Sequence, residues 1–282
     1  MKKVVLCIAV FAVAVTVGIT ANIILKNAGR PENLNLDGNV GVWWWDNRID
    51  ETYLDFAKEN GVNEIYYYTS SFGEKTSDFI EKANVRQMKV FWLSGEYQWI
   101  EDSSPLHEKI SEYMVFQQES PFKFDGIHLD IEPHQHPDFK KQRTKLITDF
   151  VSLTAELKNS YPNLYVEYDI PFWLHDEIQF DGETKPAYQF VIDNASRVTV
   201  MSYRDDYQKI CDIAKEEKEY ALTKGKAINY GVETGVNDDN IVTFQEEGLK
   251  YMYQQLRLLK NSIPQDCGIA IHHIKSWREM KD

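Results

Sequence analysis

The sequence predicts a (β/α)₈ barrel. Eight short apolar segments, rich in β-branched and aromatic residues, alternate with helical patterns along most of the 282-residue chain. The alternating part is about as long as one such barrel, for which roughly 250 residues are typical. No glycine-rich phosphate loop follows the first predicted strand, which disfavours the alternative fold, a doubly wound open sheet.

Each predicted strand is short and apolar, and polar or turn-forming residues bound it. In chain order the strands are Val40–Trp45, Glu64–Thr69, Lys89–Leu93, Gly126–Glu132, Leu164–Ile170, Arg197–Tyr203, Ala227–Glu233 and Gly268–His272. The helical patterns between them are Glu51–Asn60, Ser77–Ala83, Leu106–Gln118, Asp138–Ser160, Ala187–Asn194, Tyr207–Lys224 and Phe244–Leu259, and a last short helix begins near Ser276. We expect the barrel to occupy residues 39–282.

An apolar segment precedes the barrel. Residues 4–25 are almost wholly apolar and follow Lys2 and Lys3, which is typical of a membrane-spanning helix whose positive end stays inside. We interpret residues 1–26 as a signal-anchor, with a cleaved signal peptide as the alternative, and residues 27–38 as a polar tether. Both interpretations place the barrel outside the cytoplasm, either membrane-anchored or secreted.

The charge balance excludes one class of partner. The net charge is −13, and the first thirty residues hold four basic residues and no acidic one, so the remainder carries −17. A domain this acidic lacks the basic footprint that nucleic acids require. We expect a monomer.

The fourth predicted strand carries unusual polar residues. Because side chains alternate along a strand, His128, Asp130 and Glu132 share the face that points into the barrel, and the residues between them share the face toward the helices. Barrel interiors normally hold Val, Ile or Leu, and three buried ionisable groups are costly unless they are paired or functional. This row suits glycosidic cleavage, with Glu132 at the mouth as the acid and Asp130 as its anionic companion.

The run from Asp125 to Glu132, DGIHLDIE, resembles the D-G-x-D-x-D-x-E signature of family 18 glycoside hydrolases, the chitinase and endo-β-N-acetylglucosaminidase group. The resemblance implies a (β/α)₈ barrel with Glu132 as general acid/base. It implies that Asp130 orients the substrate's own 2-acetamido group, which attacks the anomeric carbon in place of an enzyme nucleophile. Asp125 would be a supporting residue. No metal or other cofactor is implied.

A second motif and two departures accompany this resemblance. Met201-Ser202-Tyr203 is similar to the family's M-x-Y segment, which assigns to Tyr203 a hydrogen bond to the acetamido carbonyl. His128 stands in place of the middle acid of the signature, and we expect it to hold Asp130 as an anion and to shift the pH dependence. The family's tryptophan at the end of the eighth strand is replaced by His272-His273, with Trp277 a few residues later.

Two alternatives remain open. Glu233 ends the seventh strand, and a Glu-Pro after strand four with a Glu after strand seven also resembles the large retaining-glycosidase clan, in which two carboxylates act as acid/base and nucleophile. Ile131 stands where that clan has Asn, which disfavours this mechanism. The other alternative is a non-catalytic carbohydrate-binding barrel.

We therefore predict a glycosidase that cleaves β-linked N-acetylhexosamine-containing glycans with retention. Besides the catalytic Glu132, Asp130 and Tyr203, the predicted substrate contacts are Asp125, His128, Trp45, Tyr168, Glu233 and Trp277. The pair His134 and His136 lies in a loop without a carboxylate-rich histidine set, so we predict no metal site.

Overall fold

The computed structural model describes residues 33–46 and 50–282. They form a closed barrel of eight parallel strands in the order β1, β2, β3, β4, β5, β8, β9, β10 and back to β1. The ten strands are β1 Val40–Trp44, β2 Glu64–Tyr68, β3 Lys89–Ser94, β4 Gly126–Leu129, β5 Val166–Pro171, β6 Glu177–Phe180, β7 Glu183–Pro186, β8 Arg197–Met201, β9 Ile228–Glu233 and β10 Gly268–His272. The predicted (β/α)₈ barrel is confirmed.

Helices follow the barrel strands and cover the outside of the sheet. They are α1 Glu51–Glu59, α2 Glu74–Val85, α3 Ser104–Glu119, α4 Phe139–Ser160, α5 Ala187–Asn194, α6 Tyr207–Ile213, α7 Lys215–Thr223, α8 Gly248–Ser262 and α9 Ile274–Glu279. The helix predicted over 207–224 is two helices, because Ala214 leaves the helical conformation (φ −104°, ψ 14°). Short 3₁₀ turns lie at Tyr97–Ile100, Pro133–Gln135 and Asn240–Val242.

One further element, which was not predicted, is the β6–β7 hairpin between β5 and α5. Its two-residue turn is Asp181-Gly182, and both residues have positive φ (49° and 81°). Asp-Gly between two short segments is a strong signal for a hairpin turn of this kind, so the sequence contained the information.

The barrel has two apolar layers of different size. The larger layer lies between the sheet and the helices, and alternate strand residues such as Val42 and Trp44 point into it. A small cluster fills part of the barrel interior, and it consists of Trp43, Tyr66, Phe91, Leu93 and Ala270. The remaining interior positions are largely polar or charged, which is the property of this barrel that matters for its function.

The predicted signal-anchor at residues 1–26 and the first part of the predicted tether lie outside the described residues. In the part of the chain that the structure describes, no helix is both long enough and apolar enough to cross a membrane.

Candidate active site

A cavity of about 430 Å³ opens at the carboxyl ends of the barrel strands, where (β/α)₈ barrels place their active sites. It is lined by Trp45, Gly95, Glu96, Tyr97, Gln98, Asp130, Glu132, Gln135 and His272. Carboxylates, amides and aromatic rings therefore dominate the wall, and no Lys or Arg side chain lines it among the described residues.

Asp130 and Glu132 both reach this cavity, as the alternation along the fourth strand predicts. The residues between them pack outward, with Leu129 and Ile131 fully buried against the helices. Gly95, which follows β3, lets the two segments approach closely, since a Cβ at that position would overlap the backbone oxygen of Asp130. The backbone of β3 thus helps to fix Asp130 at the cavity floor.

Glu132 is a half-buried carboxyl group whose pKa is raised above its ordinary value. Its side chain is 17% exposed, Gln135 Nε2 donates to its Oε2, and His134 Nε2 lies 3.5 Å from its Oε1. Burial raises the pKa of Glu132 and the charge of Asp169 raises it further, while His134 and Gln135 act in the opposite direction. The net shift is upward, which suits a group that must donate a proton near neutral pH.

Asp130 lies beside Glu132 with one oxygen unused. Its Oδ1 is buried and has no hydrogen-bond partner among the described residues. Burial raises the pKa of Asp130 well above its ordinary value, and the neighbouring charges of Asp169 and Glu132 add to the rise. A buried carboxylate oxygen without a donor is unfavourable, so this atom is suited to accept a hydrogen bond from a ligand.

Asp169, on β5, is a residue of the site that the predicted set did not include. It is 1% exposed, it accepts a hydrogen bond from Trp43 Nε1 at 3.0 Å, and both of its oxygens lie 2.9 Å from His128 Nε2. The alternation that was applied to the fourth strand also applies to the fifth, where Glu167 and Asp169 share the inward face. The same argument therefore identifies Asp169 from the sequence.

Tyr203 follows β8 and lies near the same groups. Its ring is 6.1 Å from the ring of His272, which lines the cavity. Burial raises the pKa of Tyr203 well above its ordinary value, and the charges of Glu233 and Asp130 raise it further. The hydroxyl group therefore keeps its proton and remains a hydrogen-bond donor close to Asp130.

Glu233 belongs to a hydrogen-bonded chain along the rim of the barrel. Trp45 Nε1 can only donate a hydrogen bond, and it donates to His272 Nε2 at 3.0 Å. The ring proton of His272 is therefore on Nδ1, which donates to Glu233 Oε2 at 2.8 Å. The amides of Thr234 and Gly235 donate to Oε1. Burial alone raises the pKa of Glu233, but these hydrogen bonds outweigh it and hold the pKa below its ordinary value.

Four of the predicted substrate contacts lie away from the cavity. Asp125 is at the opposite end of the barrel, where its Oδ2 accepts from the Val90 amide. Tyr168 and Trp277 are both buried in the larger apolar layer: Tyr168 faces outward from β5 and packs on Phe150, and Trp277 lies on α9 and packs on Phe56. His128, the fourth, is fully buried below the cavity and contacts carboxylates of β5.

The histidines of the loop after β4 bind different carboxylates. His134 faces Glu132, and His136 Nε2 lies 3.3 Å from Glu101 Oε2. Within residues 33–46 and 50–282, no group of three His, Cys, Asp or Glu side chains is arranged to hold a metal ion.

Comparisons with known proteins agree with this architecture. No protein-family model and no curated protein matches the sequence. In structure the chain is similar to a putative α-L-fucosidase from Bacteroides thetaiotaomicron, with a TM-score of 0.53 and 13% identity over 86% of this chain and 87% of that one. It is also similar to the spore cortex-lytic enzyme SleL from Bacillus cereus, with a TM-score of 0.51 and 9% identity over 88% and 74% of the two chains.

The structural neighbours also include family 18 chitinases and endo-β-N-acetylglucosaminidases, the group that the β4 motif resembles. One is the endo-β-N-acetylglucosaminidase from Cordyceps militaris, with a TM-score of 0.47 and 15% identity over 89% of this chain and 84% of that one. The two similarities with TM-scores above 0.5 establish the fold alone, and the activity has to be argued from the site itself.

Proposed function

We propose that this barrel is a glycoside hydrolase that cleaves β-linked N-acetylhexosamine-containing glycans with retention, by substrate-assisted catalysis. The observation that carries the proposal is the pair Glu132 and Asp130 on one cavity wall, a proton donor beside a carboxyl group with an unused buried oxygen. A cavity of about 430 Å³ lies within the range of ligand-binding sites.

In the proposed first step, Glu132 donates its proton to the glycosidic oxygen as the bond from that oxygen to the anomeric carbon breaks. The carbonyl oxygen of the substrate's 2-acetamido group forms the new bond to the anomeric carbon, which gives a cyclic oxazolinium ion. In the second step, Glu132 takes a proton from the attacking water, and the ring opens with retained configuration. The raised pKa of Glu132 supports the acid role.

Asp130 and Tyr203 complete the proposed chemistry at the acetamido group. The amide N–H of the substrate supplies the donor that Asp130 Oδ1 lacks, and this hydrogen bond favours the ionised carboxylate that stabilises the oxazolinium charge. The Tyr203 hydroxyl, which keeps its proton, donates to the acetamido carbonyl oxygen. Trp45 lines the cavity with its indole fixed by His272, and it offers a surface on which a sugar ring stacks.

Hydrolysis of N-acetylglucosamine oligomers tests the proposed function directly. We expect cleavage of β-linked oligomers, with the β-anomer as the first product detected by NMR. A stable analogue of the oxazolinium ion should act as a competitive inhibitor. Cleavage with inverted configuration would contradict the proposal, and so would binding without cleavage, which would favour the carbohydrate-binding alternative.

The role of Glu233 separates the two retaining mechanisms. Both of its oxygens are engaged by His272 and by two backbone amides, and it does not line the cavity, so we expect it to support the rim rather than attack the sugar. A 2-deoxy-2-fluoro glycoside with a good leaving group should therefore leave the protein mass unchanged in mass spectrometry. A covalent adduct on Glu233 would instead establish the two-carboxylate mechanism.

The pH profile of kcat/KM provides a further prediction. Because Glu132 must be protonated and its pKa is raised, activity should persist above the pH at which an exposed glutamate ionises and should fall as pH rises through the raised pKa. Gln135→Leu removes a donor that stabilises the ionised carboxylate, so its alkaline limb should move to higher pH. An alkaline limb that Gln135→Leu leaves in place, or a limb at the pH of an ordinary glutamate, would contradict this assignment of the acid.

We also propose that the domain acts outside the cytoplasm, on a glycan of the cell envelope or matrix. The support is the apolar segment 4–25 behind Lys2 and Lys3. Expression of the full chain, followed by membrane fractionation and protease treatment of intact cells, should give a membrane-bound protein that external protease digests. A protein that fractionates as soluble inside the cells would contradict it.

A further inference from the structure

A column of alternating charge fills the barrel interior below the cavity. From the opposite end upward it consists of Glu64, Arg197, Glu167, His128 and Asp169. Arg197 contacts both glutamates, at 2.5 Å for Glu167 Oε1, and every side chain of the column is at most 8% exposed. Charges buried in this way are stable only when each one has an opposite neighbour, so the column acts as a unit.

The contacts of His128 define its charge. Its Nδ1 lies 3.0 Å from Glu167 Oε2, and its Nε2 lies 2.9 Å from both oxygens of Asp169. Carboxylates accept hydrogen bonds, so both ring nitrogens must carry a proton, and the ring is an imidazolium. The ring of Tyr66 stacks on it at 3.7 Å and 17°, which adds a favourable contact with a cation.

No other cation is within direct contact of this ring among the described residues. The groups that face it are Trp43 from β1, Tyr66 from β2, Glu167 and Asp169 from β5, and Asp130 beyond it on its own segment. Although burial lowers the pKa of His128, the two carboxylates raise it to about 9. The cation is therefore present across the neutral range.

The position of the cation decides where the proton of the site resides. The charge of Asp169 raises the pKa of both Asp130 and Glu132, so it favours the protonated form of each. Asp169 accepts hydrogen bonds from the His128 imidazolium and from the indole N–H of Trp43. These two N–H donors face Asp169, whereas Asp130 Oδ1 has no donor among the described residues.

We infer that His128 is a positioning residue for the catalytic proton: as a buried imidazolium it keeps Asp169 ionised, so that the proton stays on the Asp130–Glu132 pair at the cavity. This corrects the expectation from the sequence, in which His128 holds Asp130 itself as an anion. The inference rests on the proposed function only in treating Glu132 as the acid. The claim that the charge of His128 stabilises ionised Asp169 does not depend on whether this protein cleaves a glycan.

The first test needs no substrate. Long-range ¹H–¹⁵N NMR of the labelled protein should show both ring nitrogens of His128 protonated at pH 7.5, with deprotonation near pH 9. Comparison with the spectrum of His128→Asn, or assignment through the fully buried environment, identifies the ring among the seven histidines. A neutral ring at pH 7.5 would overturn the inference.

The second test removes the cation. In His128→Asn the proton should move from the upper pair to Asp169, so the alkaline limb of kcat/KM should shift to lower pH by about 1 unit or more. Asp169→Asn removes the same anion directly and should shift the limb in the same direction. Glu64→Gln is the control, because it removes a charge at the opposite end of the column. It should leave the alkaline limb of kcat/KM in place, although it weakens the ion-pair network of the column.

Direct titration of the Asp130 carboxyl group by NMR tests the role of His128 separately from the proposed function. With ¹³C-labelled aspartate, the Asp130 carboxyl should titrate above its ordinary range in the parent protein and at lower pH in both His128→Asn and Asp169→Asn. If no glycan is cleaved but the Asp130 titration moves, the proposed function fails and the role of His128 stands. If the Asp130 titration is the same in all three proteins, the role of His128 is wrong.

Discussion

Replacing Glu132 with Gln is expected to lower kcat for N-acetylglucosamine oligomers by about 10²–10⁴-fold, the usual contribution of a general acid/base. Gln preserves the shape of the side chain and its contact with Gln135, but it has no proton to give to the leaving oxygen. Because the ground-state contacts are kept, KM should change little. Steady-state kinetics with the parent and the variant measure both parameters.

The leaving group provides an internal check on this result. An aryl glycoside whose phenol leaves without protonation should lose far less activity in Glu132→Gln than an oligosaccharide does, because the first step no longer needs the acid. Glu112→Gln is the matched control, since Glu112 is an exposed carboxylate on α3 that pairs with Lys109 at 2.8 Å. Equal losses with both leaving groups would show that Glu132 acts in another way.

The eight barrel strands could be predicted from the sequence because each of them is a short, largely apolar run bounded by turn residues. Trp43 and Trp44 illustrate why alternation was a reliable guide: the first lies in the interior cluster and the second in the layer beneath the helices. The same period placed Asp130 and Glu132 on one wall. Local pattern therefore predicted the barrel and the core of the candidate site.

Several predicted contacts lie away from the cavity because a position near the end of a strand does not give the face of a residue, and alternation does not give its depth. Tyr168 ends a strand near the mouth, but its parity on β5 points it toward Phe150, while its neighbour Asp169 points inward. His128 has the predicted parity but lies one layer deeper than the cavity. Its partner Glu167 comes from another strand, and such partners are fixed by sheet register, which a single sequence does not state.

Replacing Arg197 with Met is expected to lower the free energy of unfolding by about 3–5 kcal/mol, the cost of removing one partner from a buried ion pair. Arg197 is 7% exposed, and it is the cation that Glu64 and Glu167 share at the lower end of the column. Met fills a similar volume, so the lost packing is small and the uncompensated carboxylates dominate. Urea denaturation at pH 7 measures the change.

Arg143→Met is the matched control, because Arg143 makes a bidentate ion pair with Asp176, both distances being 2.7 Å, on a side chain that is 42% exposed. Screening by water should hold that loss of stability to about 1 kcal/mol or less.

The stability losses of Arg197→Met and Arg143→Met should also differ in pH dependence. Burial raises the pKa of Glu167, but Arg197 and His128 outweigh burial and hold that pKa below its ordinary value. The stability deficit of Arg197→Met should therefore shrink as pH falls, because protonation of Glu167 removes the uncompensated buried charge. A deficit equal to that of Arg143→Met at pH 7 would contradict the assignment of Arg197 as the cation that stabilises the two buried carboxylates.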